Sequence, residues 1–294
     1  MSDISVIIPV YNRRDHLYLC LCALEACGTY YREPMEVIVT DDGSEDDPLS
    51  ALLEFRNNWQ MRYLWHPHDR FQACKTINRA CEVASGDSFF ILGSDILLES
   101  TSLLHLANIH KGHPAAIIAG RYDWMLPMQI RPYDVYHNFA KIIEGTLPPK
   151  TLGKNPVGII GKDPRYRQNP SVFDAPPQSN FACALFADAL LIPRTVFEAL
   201  GGFDEAMIGH GGQDAEFSIR AQMAGYKAIF SNLVHGYHMY HTRDQSANLQ
   251  TGIANIEYIA KKHDLAKLGL EMWADGENRG IGIKGGAVPR NVPV

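Results

Sequence analysis

The chain has 294 residues, 46% of them hydrophobic and 20% charged, with a net charge of −6. That composition fits a folded protein with a sizeable core and argues against a disordered chain. The acidic balance argues against a nucleic-acid partner, and no apolar run nears the ~20 residues that a membrane span needs. Cys20, Cys22, Cys27, Cys74, Cys81 and Cys183 form no Cys-x-x-Cys pair and read as buried thiols in a reducing compartment. No signal peptide precedes the first strand, so the expected location is cytoplasmic.

Ser5–Val10 is a strand by its β-branched run. A helix follows from about Asp15 to Ala26, with Leu17, Leu21 and Leu24 on one face. Glu36–Thr40 is a second strand. Asp47 and Pro48 supply the N-cap and first-turn proline of a helix reaching about Arg56. Met61–Trp65 is a third strand, Gln72–Ala84 a helix stopped by Gly86, Ser88–Leu92 a fourth strand and Ala115–Ala119 a candidate fifth. Strands alternating with helices imply an α/β fold on a mostly parallel sheet.

Residues 127–177 hold nine of the 17 prolines and show little periodicity. They read as an irregular excursion, acceptor-side or mobile. Order resumes with a strand over Ala182–Ile192, a helix from about Thr195, another near Asp214, a strand over Tyr226–Phe230 and a helix over Gln245–Lys262. The expected organisation is a first half over 1–120, the excursion over 121–181, a second half over 182–274, and a flexible tail over 275–294.

Three strand ends carry the chemistry, since ligands of α/β sheets bind outside the carboxyl ends of strands. They are Pro9-Val10-Tyr11-Asn12-Arg13, Asp41-Asp42-Gly43-Ser44 and Gly93-Ser94-Asp95. Each alone is an ordinary turn. Together they place carboxylates where only a cation or hydrogen-bond donors relieve their repulsion. An Asp can accept from a base N–H or a ribose hydroxyl, and Asp95 can hold a hard cation. Asp69, Arg70 and Lys75 are candidates for base or phosphate contacts, or solvated surface charge. Lys154, Lys162, Arg165 and Arg167 could close over a diphosphate, grip a phosphorylated acceptor, or keep the excursion soluble. Tyr122, Trp124 and Tyr133 are equally readable as sugar-stacking or core rings.

These blocks resemble glycosyltransferase family 2 and its relatives with the GT-A fold. The match runs over Ser5–Asn12 and Val39–Ser44, then through Asn78, Ala84, Ser85 and Gly86 to Phe90–Asp95. The resemblance implies a Rossmann-like, mostly parallel sheet flanked by helices, with a smaller acceptor-side region. It makes Asp42 the contact for uracil or another base, and Asp95 the metal-binding Asp of an Asp-x-Asp motif whose first Asp is replaced by Gly93. Donor-site residues on this reading are Pro9, Tyr11, Asn12, Arg13, Asp41, Asp42, Arg70, Lys75, Ser94 and Asp95.

The second half resembles the C-terminal region of β-1,4-galactosyltransferases and polypeptide N-acetylgalactosaminyltransferases. Gly211-Gly212-Gln213-Asp214 matches their Gly-Gly-Glu-Asp motif, whose Asp is the proposed base. Gln213 replaces the usual Glu and, with Gly212, falls on the acceptor side. The segment His238–Asp244 is similar to their metal-ligand segment and puts His241 and His238 on ligand positions, with His235 structural.

The implied protein is an inverting hexosyltransferase with Asp214 as general base. It would use Mn²⁺, or Mg²⁺, and a UDP-sugar, UDP-galactose or UDP-N-acetylgalactosamine first. The acceptor would be a carbohydrate, lipid-linked or other hydroxyl. A retaining transferase on the same fold and a non-catalytic nucleotide-sugar-binding protein are the alternatives. A sugar-nucleotide pyrophosphorylase would carry a Gly-rich, Arg-containing loop where Pro9-Val10-Tyr11-Asn12 stands.

Overall fold

The pleat of β1 (Ile4–Val10), an almost continuous apolar run, sends Val6, Ile8 and Val10 to one face of a sheet and Ile7 to the other. β2 (Glu36–Asp41) and β3 (Gln60–Trp65) join it in parallel on one side, and β4 (Ser88–Leu92) on the other. β1, β2 and β4 are buried on both faces and need helices above and below. α1 (Arg14–Cys27) brings Leu17, Leu21 and Leu24 to the first face, beside Leu103 and Leu106 of α4 (Ser102–Gly112). The opposite face is covered by Ile77 and Ala80 of α3 (Ala73–Val83), which follows α2 (Pro48–Glu54) in the chain. The computed structural model describes residues 4–55, 59–125, 130–137, 159–161, 163, 165, 173, 176–181, 185–241, 245–275 and 278–283.

The second half of the chain adds to the same sheet. β5 (Ile96–Leu98) and β6 (Ile117–Met125) precede the short α5 (Pro132–His137) and β7 (Ile159–Gly161). β8 (Ala189–Pro193) leads into α6 (Arg194–Leu200), α7 (Gln213–Met223) and β9 (Ala228–His238). The strand order is β3-β2-β1-β4-β8-β6-β9-β5, with β7 pairing β6. β8 runs antiparallel between β4 and β6, and β5 runs antiparallel to β9. Val196, Phe197 and Phe217 extend the core on the α3 face, joined by Ile256 and Ile259 of α8 (Gln245–Lys262). Each such side chain, once fully buried, contributes roughly 1.5–3 kcal/mol.

The structure therefore has the α/β class expected, and it revises several details. The boundary placed at residue 120 falls inside β6, which pairs with β9 from Ile117 to Trp124 across one register shift. The strand expected from Ala182 begins at Ala189. β5 and α4 were not anticipated: three residues are too few for a periodicity signal, and α4 packs mainly through Leu103 and Leu106. Where a tail was expected from 275, β10 (Leu270–Asp275) and β11 (Asn278–Ile283) form an antiparallel hairpin.

Arg165 is no phosphate clamp. It is 3% exposed and paired with the fully buried Asp163 at 2.6 Å, and its guanidinium also donates to the Gly120 carbonyl at 2.5 Å. The guanidinium lies 4.8 Å from the Phe186 ring centre and 5.1 Å from that of Phe173. Asp163 in turn accepts from the Tyr122 N–H, so the pair ties the excursion to β6. Replacing Asp163 with Ala leaves a buried cation without its carboxylate. A loss of about 3–5 kcal/mol is expected, read as a lower midpoint in chemical denaturation. Lys154, Lys162 and Arg167 lie outside the described residues, as does Cys183. The other five cysteines are buried free thiols. Among the described residues no helix is long and apolar enough to cross a membrane.

Candidate active site

A cavity of about 730 Å³ lies along the carboxyl edge of the parallel strands. Its walls include Pro9, Tyr11, Asn12 and Arg13 after β1, Asp42 after β2, and Ser94 and Asp95 after β4. Gly212, Gln213, Asp214, His238 and His241 complete it from the second half of the chain.

At the β2 end the turn is tightly specified. Gly43 has φ +74°, and a β-carbon there would lie 2.3 Å from the His68 backbone nitrogen, so only glycine lets the 66–68 loop close on Asp42. The His68 ring stacks on Tyr11 with centroids 4.2 Å apart, and its Nδ1 lies 3.0 Å from the Asp42 carbonyl oxygen. Asp42 is buried; its Oδ2 accepts from the Gln72 N–H at 3.2 Å, while Oδ1, 3.6 Å from His66 Nδ1, has no hydrogen-bond partner among the described residues. Burial raises its proton affinity against the nearby Gln72 N–H and histidines. Asp42 lines the cavity, and a carboxylate at that place can accept from the N–H of a nucleobase.

Asp95, His238 and His241 meet because β5 pairs with β9. The register sets Ile96 opposite His238, and the Met239 N–H donates to the Asp95 carbonyl at 2.8 Å. Asp95 Oδ2 lies 3.0 Å from His241 Nε2 and 3.6 Å from His238 Nε2. One ligand atom from each residue falls within 4.8 Å of the others, which suits a divalent cation. His238 Nδ1 faces the Met239 carbonyl at 2.9 Å, leaving Nε2 as the ligating nitrogen, and Trp124 stacks on the ring at 4.1 Å. Arg13 contacts His241 Nδ1 at 2.9 Å. Donation from this guanidinium puts the ring proton on Nε2, toward Asp95, and a cation held there takes that proton's place. Burial disfavours charge on Asp95, but the two imidazoles outweigh it and hold the carboxyl well below the usual range.

Asp214 sits in the first turn of α7, half-buried. Burial, with the Asp188 carboxylate next, pushes its pKa up to about 7, against an N–H bond from Ala187 and the charge of Arg165. A helix N-terminus favours the anion, yet desolvation wins. A carboxylate with that affinity is a far better proton acceptor near neutrality than an exposed one.

Three expected donor residues do not line the cavity. Asp41 is fully buried and spends its carboxylate on the Ser44 N–H and hydroxyl and on the Tyr63 hydroxyl, so it shapes the turn rather than a ligand. Arg70 and Lys75 are exposed, and Arg70 donates to the Asp69 carbonyl. Tyr133 is 60% exposed on α5, away from the site, whereas Tyr122 and Trp124 do line it. His235 bridges Glu99 and Asp123 at 3.0 and 3.4 Å as a structural residue. Sequence reasoning missed His68 and Asp188, both on the wall. For Asp188 a signal was present, a charge inside the apolar run Phe186–Leu191, which needs a reason.

The profile of glycosyl transferase family 2 matches residues 5–158, just over half of the chain. The chain belongs to that family. The family 2 match contains Asp42 and Asp95 and stops before Asp214, His238 and His241. Validoxylamine A glucosyltransferase of Streptomyces hygroscopicus subsp. jinggangensis is 25% identical over 283 residues, 95% of this chain and 64% of that protein. Hyaluronan synthase of Pasteurella multocida is 28% identical over 247 residues, 81% of this chain and 24% of that one. The chain thus spans under two thirds of the length of either relative. Among solved structures, S. aureus TarS 1–349 in complex with UDP-GlcNAc superposes with a TM-score of 0.61 at 15% identity, covering 89% of this chain and 66% of that one. The mannosyltransferase PcManGT from Pyrobaculum calidifontis, in complex with GDP-Man and Mn²⁺, gives 0.59 at 18%, covering 89% and 64%. At those identities the likeness establishes the GT-A fold alone.

Proposed function

We propose that this chain is an inverting glycosyltransferase that moves a sugar from a UDP-sugar to an acceptor hydroxyl. The observation that carries the reading is the convergence on one cavity of the Asp42 carboxylate, an Asp95–His238–His241 ligand set, and the raised-pKa carboxylate of Asp214. Asp42 accepts from the base while Tyr11 and His68 flank it. A divalent cation at Asp95, His238 and His241 would neutralise charge growing on the departing diphosphate, and the two imidazoles favour Mn²⁺ over Mg²⁺. Asp214 takes the proton of the acceptor hydroxyl as its oxygen bonds to the anomeric carbon. The bond from that carbon to the diphosphate breaks and UDP leaves. Gly212 and Gln213, at the start of α7, lie on the acceptor side.

The acceptor is a hydroxyl of a carbohydrate, lipid-linked or other molecule. UDP-galactose and UDP-N-acetylgalactosamine are the first donors to try, because the second half resembles enzymes that use them; UDP-glucose, UDP-N-acetylglucosamine and GDP-mannose complete the panel. Thermal shift with Mn²⁺ reads selective binding directly, since a ligand held only by the native state raises its melting temperature. Asp42→Ala removes the base contact and is expected to weaken UDP binding about tenfold, measured by calorimetry. Unchanged affinity would remove Asp42 from the donor site. The anomeric configuration of the product, read by NMR, tests inversion.

A further inference from the structure

The glycine at position 93 leaves a bare α-carbon, and the space above it is already taken. A β-carbon built there would lie 3.0 Å from Asp188 Oδ1 and 3.1 Å from Asp95 Oδ1, so two carboxylates close over it from opposite elements. Asp188 reaches this place because β8 is antiparallel to β4, with Ala189 opposite Leu92. The Gly93 N–H then donates to the Asp188 carbonyl at 3.1 Å. Tyr122 donates its hydroxyl to the Asp188 carboxylate and so fixes its direction. On the far side Asp188 is near enough to Asp214 to oppose its ionisation.

Asp188 therefore stands between the cation ligands and the base, and it is not one of the three residues whose ligand atoms cluster. Transfer fixes what else must stand there. The anomeric carbon has to lie within reach of an acceptor hydroxyl that hands its proton to Asp214, while its diphosphate stays on the cation. The transferred sugar must occupy the space beside Asp188. An ionised carboxylate accepts hydrogen bonds and donates none, and its two oxygens offer about four lone-pair positions.

We propose that Asp188 recognises the transferred sugar by accepting from one of its hydroxyls, the carboxylate entering from the start of β8 into space that Gly93 leaves open. The inference rests on the donor-site reading above. It makes Asp188 a specificity-determining residue and gives Gly93 a reason: any side chain at 93 would displace that carboxylate.

Calorimetry of the full chain with Mn²⁺, titrating UDP and each UDP-sugar separately, tests it. Asp188→Asn and Asp188→Ala are expected to leave UDP affinity within about twofold of wild type. Affinity for the preferred UDP-sugar should fall about ten- to a hundredfold, as for loss of a charged hydrogen bond. Tyr122→Phe keeps the carboxylate but frees its orientation, and should show the same selective loss at smaller size. It carries the test if Asp188→Ala fails to fold in a melt without ligand. Equal weakening of UDP and UDP-sugar would overturn the proposal by making Asp188 a residue of the cation or nucleotide site. No change in either would overturn it too. A wild-type chain that binds UDP with Mn²⁺ while these variants discriminate nothing refutes this inference alone; a wild-type chain that binds neither refutes the donor-site reading.

Discussion

Asp214→Asn is expected to lower turnover by about 10²- to 10⁴-fold while leaving UDP-sugar affinity near wild type, because it removes the proton acceptor and keeps the shape of the site. Single-turnover transfer and calorimetry on the same preparation check both halves; equal losses in rate and affinity would refute the assignment as base. In the wild type, kcat/KM should fall about tenfold per pH unit below an apparent pKa near 7, the value to which burial and Asp188 push this carboxylate. Above that pH the profile should be flat until another group titrates.

The same variant tests the strain. Asp214 has a folded pKa raised from 3.8 to about 7, so between those values the folded state binds more protons than the unfolded chain. Its contribution is favourable below pH 4 and is lost as pH rises through 7. At pH 8 the ionised carboxylate costs up to about 4 kcal/mol, from 1.36 kcal/mol per pKa unit. Asp214→Asn, neutral throughout, is expected to be more stable than wild type at pH 8, with the difference closing toward pH 4. Chemical denaturation at several pH values reads this directly. A gain in stability paired with a loss of rate is the pattern of a site whose reactivity is bound up with its strain.

Asp95→Ala is expected to weaken Mn²⁺-dependent UDP binding by at least about a hundredfold, since it takes away the one carboxylate of the ligand set and leaves two neutral imidazoles. Affinity for UDP without Mn²⁺ should hardly change. That contrast, measured by calorimetry with and without the metal, separates a ligand role from a general disturbance. His241→Ala should show the same contrast at smaller size. If Mn²⁺ leaves the wild-type affinity for UDP unaltered, the cluster is an ion pair and not a cation site.

Much of the fold was legible because its signals are local. The short apolar runs of β1 and β4, the Asp47–Pro48 start of α2, and the leucine spacing of α1 each act within a few residues, and the elements fall within a residue or two of expectation. Asp42, Asp95 and Asp214 were legible for a related reason: each follows a strand end or opens a helix, where an acidic side chain does not belong to the core. Asp41 misled because sequence cannot say which of two adjacent carboxylates turns inward. The turn decides that, through Ser44 and Tyr63. Arg165 misled in the same way, since a cation in a proline-rich stretch reads as solvated until its partner Asp163 and four aromatic rings surround it.

By itself the sequence determined the α/β class, the order of most elements and most of the strand-end residues that line the cavity, all of which follow from short-range periodicity and turn chemistry. Only the tertiary structure decided which of those residues share a site. The β5–β9 pairing that joins Asp95 to His238 links positions far apart in the chain, and so does the antiparallel entry of β8 that lays Asp188 over Gly93. Pairing between distant strands is set by how whole faces pack, and no local pattern encodes it.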